Sequence, residues 1–434
     1  MAMNFPLPSS RARMAVLLSA CLVASVLLYQ GTRNGLAAHY FGQDTRAGYE
    51  RAVRLEPGDS RNWYLLGRSY LYDFEQPDPA RAIDAFRKSI ALDPYSAEAM
   101  LDLATAYDGE GDTRQARAAY VAAKRVYPLS ADVSWSYGNF LLRQGELDAA
   151  FAEIRKSVEL EPKRGAEAFS RAIRVQPDVN VVLDQAVPPL AAVYLPVIQI
   201  YSGAGDLDTA QAVWKRLVGL RQKVPMREMV VFFDGLIQQR RIADAKRLWP
   251  EALAMMQNAP PADPQGSILW DGGFESAYTL GGGFTWRFVP ATRDTQISSD
   301  PSEKHSGERS IRILFNGRQN LNFQDVCHNI APEPAKRYLL TAWIRTQSLT
   351  SSEGVRLLLF AFSKSGNQTV TTEEVHGTQP WKQVQLEWTA PADAEFGVVC
   401  VKRNMSDQPG NDIQGAAWID DVSLVPADQA VAKP

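Results

Sequence analysis

Proline recurs at Pro57, Pro94, Pro128 and Pro162, in steps of 37, 34 and 34 residues. Three of these close the same local pattern: Leu55-Glu56-Pro57, Leu92-Asp93-Pro94 and Leu160-Glu161-Pro162. Pro128 follows Val126-Tyr127 in the same series. A fixed period of this length marks a repeated supersecondary unit, too small to bury a core alone and stable only when stacked on its neighbours. Proline lacks the amide a helix needs, so it ends each unit.

Positions inside the period agree. The first full unit has Trp63, Leu66, Gly67 and Tyr70, then Ala82 and Phe86, displaced by an insertion around Gln76-Pro77-Asp78. The second has Leu103, Ala104, Tyr107, Ala116, Tyr120 and Ala123; the third has Tyr137, Gly138, Leu141, Ala150, Ile154 and Ser157. Gly67, Ala104 and Gly138 let two helices approach closely, and the large residues fill the space between them. Gly111 and Gly145 suit the left-handed position after a helix. Asp112 and Glu146 open the next helix, where negative charge is favourable.

This register resembles the tetratricopeptide repeat family. The resemblance implies paired antiparallel helices and a groove lined by the first helices, which binds extended peptides or partner helices. We expect the array to span 46–257, with Ser60–Pro162 its clearest part. Tyr49, Ala52 and Pro57 read as the second helix of a half unit. Phe169, Ala172 and Pro177 read as another second helix, so close to Pro162 that a helix is missing there or the array is irregular. Weaker units follow at Tyr194, Tyr201, Gly205, Ala210 and Trp214, and at Phe232, Leu236, Ala245 and Trp249. Spacing places Tyr64, Arg68 and Tyr72, then Leu101 and Thr105, then Trp135, Asn139 and Arg143 on the groove face. Aromatic, Arg and Asn side chains suit peptide backbone and carboxylates. A merely solvated face is the plainer alternative.

The Pro-rich stretch 258–266 reads as a linker. Beyond it the apolar period changes from 3.6 to 2. Strand-like runs occur at Ser310–Phe315, Tyr338–Arg345, Val355–Phe362, Lys382–Trp388, Gly397–Val401 and Ala417–Val425, separated by turn residues. Many short strands imply an antiparallel sandwich over 267–426, followed by a disordered tail, 427–434. The fold class is therefore multidomain: an all-α solenoid, then an all-β sandwich. Landmarks in order are Asp271-Gly272-Gly273-Phe274-Glu275, Trp286, His305 to Ser310, Tyr338 to Trp343, Trp381 to Val384, and Trp418 to Leu424. They resemble the jelly-roll carbohydrate-binding modules associated with cellulases. The resemblance implies a structural calcium where first and last strands meet, to which Glu275 and Asp421 carry over; surface and capping acids are the alternative. It also implies glycan contact, for which Trp343, Asn322, Gln324 and Arg403 are available. Trp286, Trp381, Trp388 and Trp418 fall where such folds place core aromatics.

Met14 to Tyr29 is an uncharged apolar run after Arg11 and Arg13. As a helix it reaches about 24 Å at 1.5 Å per residue, and Gln30 to Thr32 complete a crossing of the ~30 Å hydrocarbon core. A retained anchor over 14–32, with 1–13 cytoplasmic, competes with a cleaved signal segment, for which Leu36-Ala37-Ala38 is the nearest and a poor site. Both readings export the rest of the chain, and the anchor reading puts it at the inner membrane, facing the periplasm. Three cysteines, Cys21, Cys327 and Cys400, form no metal-binding spacing. Cys327 and Cys400 are either an exported disulfide or two small buried hydrophobes.

A net charge of -3 gives no basic excess for nucleic acid. His39, His305, His328 and His376 are scattered, Gly281-Gly282-Gly283 lacks the context of a phosphate loop, and no nucleophile elbow occurs. We therefore expect no enzyme. The sequence points to an anchored scaffold whose repeats bind a protein and whose sandwich contacts polysaccharide, in envelope or exopolysaccharide assembly. Alternatives are a purely protein-binding assembly factor with a structural sandwich, and an accessory to, or weak form of, a glycan-processing enzyme.

Overall fold

The computed structural model describes residues 9–257, 266–276, 281–288, 290–408 and 411–430. The chain forms two compact units, Met1–Pro188 and Pro189–Pro434. Almost all of the linker expected at 258–266 lies outside the described residues.

The first unit is helical throughout. Its helices are α1 (Ser10–Phe41), α2 (Arg46–Leu55), α3 (Ser60–Leu71), α4 (Pro79–Leu92), α5 (Ala97–Gly109), α6 (Thr113–Val126), α7 (Ala131–Arg143), α8 (Leu147–Leu160), α9 (Gly165–Val175) and α10 (Val179–Gln185). The first helices of the clear units are capped in the same way: Asp59, Ser96 and Ser130 accept from amides of α3, α5 and α7. The turn between paired helices uses Gly111 at φ +79 and Gly145 at φ +76, where an L side chain would be strained. Asp112 caps α6. Glu146 makes no side-chain cap and instead pairs with Arg117 at 2.5 Å. The small positions do what the spacing implies: a Cβ on Gly67 would lie 2.6 Å from the Phe86 ring, and one on Gly138 2.8 Å from Ile154.

Two irregular places are resolved. The half unit ending at Pro57 has its first helix in α1, whose Ala37 is buried and whose Phe41 meets Tyr49 at 5.7 Å. Near Pro162 the array shortens. After a single 3₁₀ turn, Pro162–Arg164, α9 packs beside α7 through Arg171, so it takes a first-helix place although its apolar pattern reads as a second helix. The seven-residue α10 follows it.

The second unit joins four helices to the sandwich: α11 (Ala191–Gly203), α12 (Leu207–Gly219), α13 (Val230–Gln238) and α14 (Ile242–Met255). Trp214, Phe232, Phe233 and Trp249 pack as an aromatic cluster within these helices. The strands are β1 (Trp286–Phe288), β2 (Thr295–Asp300), β3 (Ser310–Asn316), β4 (Phe323–Ile330), β5 (Arg337–Leu349), β6 (Arg356–Phe362), β7 (Gln368–Thr371), β8 (Gly377–Thr389), β9 (Phe396–Arg403) and β10 (Gln414–Pro426). They form two antiparallel sheets, ordered β1-β4-β9-β6-β7 and β2-β3-β10-β5-β8. Alternate residues such as Ile313, Leu340, Val384, Val399 and Ile419 fill the layer between them. Ala427–Ala430 forms one helical turn, where the sequence suggested a disordered tail. Residues 431–434 lie outside the described set.

Helices and sandwich share one core edge. The Asp234 carboxylate of α13 accepts from the Gly283 amide at 2.8 Å and from Arg287 at 2.5 Å. Trp249 meets Phe284 and Trp270 edge-on. The Gly281-Gly282-Gly283 loop is thus a docking turn, with Gly282 and Gly283 closely approached by α13. Beneath it His328 is fully buried. Its Nε2 accepts from the Trp270 amide at 3.3 Å and its Nδ1 faces the Asn329 carbonyl at 2.6 Å. Burial pulls its pKa down to about 4, against the smaller upward effect of the Asn329 carbonyl.

Candidate functional site

The candidate groove residues fall into two clusters joined by an ion pair. In the first, Arg68 of α3 lies over the rings of Tyr64 and Tyr72 at 5.8 and 5.4 Å. All three converge on Asp102 of α5: Tyr72 donates to it at 2.8 Å and Arg68 approaches to 3.5 Å. Burial, followed by the Asp102 charge, pushes Tyr64 up to about 12, and burial also raises Tyr72. Asp102 is itself raised, because desolvation outweighs the Tyr72 hydrogen bond and Arg68.

The second cluster surrounds Trp135 on α7. Arg164 and Arg171 lie over its ring at 5.7 and 5.2 Å. Asn139 donates back to the Trp135 carbonyl at 2.8 Å and accepts from Arg171 at 3.0 Å. Arg164 is held by Asp132 and Glu161. Between the clusters, Arg143 pairs with Asp108 at 2.6 Å. Leu101 is half-buried and Thr105 exposed.

Four partners of the candidate groove residues were not picked out from the sequence. Asp102 and Asp108 sit beside the chosen positions of α5 and were passed over because the face was chosen by fixed spacing. Arg164 and Arg171 belong to the 3₁₀ turn and α9, whose pattern suggested the other helix layer. Several of these partners are basic or aromatic, and their surfaces remain open at the side chains. Arg68 and Arg143 are each about half exposed despite their ion pairs. Guanidiniums held flat by a carboxylate or an indole offer preoriented donors to a peptide carbonyl or carboxylate.

The sandwich separates its four candidate glycan residues. Asn322 and Gln324 come together at the outer face of the β1-β4-β9-β6-β7 sheet. Lys402 donates to Asn322 at 2.5 Å and to Gln324 at 3.4 Å. Desolvation, then repulsion from Arg356, lowers the Lys402 pKa. Beside them Cys327 and Cys400 stand opposite each other on β4 and β9 and are joined as a disulfide. Trp343 belongs to the other sheet, where the His305 ring stacks on it at 3.8 Å and Trp381 lies near. Arg403 is wholly buried; it donates to Asn320, the Leu321 carbonyl, Ser351 and the Asn411 carbonyl, so it braces loops and presents no bonded nitrogen to a ligand. Trp286, Trp388 and Trp418 are buried, and Trp381 is half-buried.

Glu275 and Asp421 meet near Gly273, where a Cβ would lie 3.7 Å from each carboxylate. Both are engaged by the loop before β3. Glu275 accepts from the Glu308 amide at 2.9 Å. Asp421 accepts from Ser306 Oγ at 2.7 Å and contacts His305 Nδ1 at 2.6 Å. Neighbouring Asp420 accepts from the His305 amide at 2.7 Å. Burial, followed by Asp421, raises its pKa to about 6. Among the described residues no group of three or more His, Cys, Asp or Glu side chains is placed to share a metal ion. Two carboxylates already filled by protein donors do not fit the six to eight oxygens calcium requires.

Residues 33–97 and 101–165 match the tetratricopeptide repeat family. The first match begins inside α1. No curated protein matches the chain. Among solved structures, one described as "Family 16 Carbohydrate Binding Module-2" is 17% identical, with 36% of this chain and 99% of that one covered, at a TM-score of 0.28. A "Xylan-Binding Domain from CBM 22" is 14% identical, covering 38% and 97%, at 0.28. A "Crystal structure of MamA protein" is 19% identical, covering 50% and 94%, also at 0.28.

Proposed function

We propose that this chain is a non-catalytic, membrane-anchored scaffold whose repeat groove binds a protein partner and whose sandwich contacts polysaccharide, in envelope or exopolysaccharide assembly outside the cytoplasm. The observation that carries the first part is the run of half-exposed, preoriented side chains from Tyr64 through Arg143 to Trp135 and Arg171. Their ion pairs and ring contacts fix them before a partner arrives, which cuts the ordering cost of binding.

Anchoring is supported by α1, which is long and apolar enough to cross a membrane. Its last turns are part of the repeat core. Ala37 is 1% exposed, Arg51 lies over Tyr40 at 5.1 Å, and a Cβ on Gly48 would meet the Tyr40 carbonyl. Cleavage after Ala38 would remove the buried Ala37 and leave Tyr40 and Phe41 on a frayed helix start, so a retained helix suits this array better. Arg11 and Arg13 favour a cytoplasmic N-terminus.

Glycan contact rests on Asn322, Gln324 and Lys402, whose amide and ammonium groups line an outer sheet face. A second reading, a protein-binding assembly factor with a structural sandwich, is favoured by one observation: Trp286, Trp388 and Trp418 are buried and Trp343 is covered by a histidine ring.

Crosslinking pull-down from membranes with the full chain tests the groove. Trp135→Ala and Arg143→Ala should each deplete the partner; unchanged recovery removes the groove reading. A glycan array probed with the detergent-solubilised chain separates the two sandwich readings. Binding lost in Lys402→Ala supports the first, and silence on every envelope polysaccharide leaves the second.

A further inference from the structure

The anchor and the array share one helix, and that fixes which side of the array meets the membrane. Helix α1 runs from Ser10 to Phe41 without a break. Its apolar part ends near Thr32, and its Ala37 is already packed in the array. Five residues of helix separate them, about 7.5 Å at 1.5 Å per residue. No flexible segment intervenes to let the array turn away.

Paired helices are antiparallel, so the first helices α1, α3, α5 and α7 all start at one edge of the solenoid. That edge is made of the loops joining one unit to the next, 56–59, 93–96, 127–130 and 161–164. Because α1 enters from the bilayer, its starting edge is the near edge. The near edge carries the unit's exposed apolar side chains: Tyr95 is 72% exposed and Leu129 76%, with Leu92, Tyr127 and Leu160 beside them. The far edge consists of the turns within hairpins, 42–45, 72–78, 110–112 and 144–146. Each of these turns holds acids, from Asp44 to Glu146, and none holds Lys or Arg. Its large exposed apolar side chains are Tyr72 and Phe74, both in the one long turn, 72–78.

We infer that the inter-unit edge of this array rests on the lipid surface that α1 enters, with Tyr95 and Leu129 seated in the headgroup layer. Tyrosine suits that layer because its ring is apolar and its hydroxyl is wet. Both edges carry acids, seven with no base on the far edge against Glu56, Asp59, Asp93 and Glu161 with Lys163 and Arg164 on the near edge, so repulsion from anionic headgroups is weaker at the near edge. The inference rests on α1 being a retained anchor. It deepens that reading by giving the groove a fixed attitude, with its helices standing upright on the membrane.

The test uses the full chain in vesicles of phosphatidylcholine and phosphatidylglycerol. An environment-sensitive fluorophore is attached at Tyr95→Cys, Leu129→Cys or Glu110→Cys, each in a Cys21→Ser background. Lipid carrying a nitroxide at the headgroup should quench the labels at 95 and 129 and spare the label at 110. Equal quenching at the three positions overturns the inference. A label on native Cys21, probed with a nitroxide deep in the acyl chains, reports the anchor separately. Loss of its fluorescence together with equal edge signals sinks the edge alone; an unquenched Cys21 sinks both.

Discussion

Gly67 and Gly272 do the same job in different ways. A Cβ on Gly67 would lie 2.6 Å from the Phe86 ring, in the partner helix of the same hairpin. A Cβ on Gly272 would lie 1.7 Å from the Val422 carbonyl oxygen, near the far end of the sandwich's sequence. The first contact is local and meets a side chain. The second is long-range and meets main chain, whose amide at Val422 also donates to the Gly272 carbonyl at 2.9 Å. Repeats are built from neighbours, so strain stays within a unit. The sandwich closes its first loop on its last strand, so strain there reaches the whole sheet.

Breaking that closure should have the largest effect. Gly272→Ala forces β10 to move and should cost more than about 4 kcal/mol, in the range reserved for severe core damage. The sandwich melt should vanish while helical circular dichroism from the first unit persists. A wild-type-like melt would show that the closure is not required.

Removing the bond between β4 and β9 comes next. The double change Cys327→Ser with Cys400→Ser should cost about 2–5 kcal/mol, since the bridge closes a loop spanning 73 positions. Reductant should lower the wild-type midpoint by the same amount and leave the variant unmoved.

Acid sharpens the contrast further. Buried His328 has its pKa pulled down to about 4, while the unfolded chain takes that proton near the ordinary value of 6.5. Its stabilising effect is therefore complete above about pH 6.5 and lost as pH falls towards about 4. Asp271 and Asp420, each raised by burial to about 6, act in the opposite sense over that window. They are common to wild type and His328→Gln, so the difference isolates the histidine. Between about pH 7 and pH 4.5, wild type should lose up to about 3 kcal/mol relative to the variant by urea melts. Parallel pH profiles would show that His328 does not stay neutral.

The smallest effect belongs to the repeats. Gly67→Ala should cost about 1–3 kcal/mol through displacement of the Phe86 ring. Hydrogen exchange should quicken in α3 and α4 and stay unchanged in α7 and α8. A uniform loss across the array would mean that the solenoid unfolds as one piece.

By itself the sequence determined the helical hairpins, their caps and their edges. The Pro series, Gly111, Gly145 and the Trp63 to Tyr70 spacing are short-range signals, and the contacts they specify are also short-range. The same spacing picked out Tyr64, Arg68, Tyr72, Trp135, Asn139 and Arg143 as neighbours, and the structure gathers them into two side-chain clusters. Strands were legible where alternation is clean, as in β3 and β5. The short or polar β1, β2, β4 and β7 were not, because pairing rather than pattern makes them strands.

Tertiary structure alone decided the rest. It placed Arg171 beside Trp135 and buried Arg403. It put Trp343 and Asn322 on different sheets, and it joined α11–α14 to the sandwich through Asp234. Each depends on which residues far apart in sequence come to share a face, and sequence spacing carries no record of that. The one such relation that a linear reading nearly contains is α1, where the long apolar run and the first helix of the array are a single uninterrupted helix.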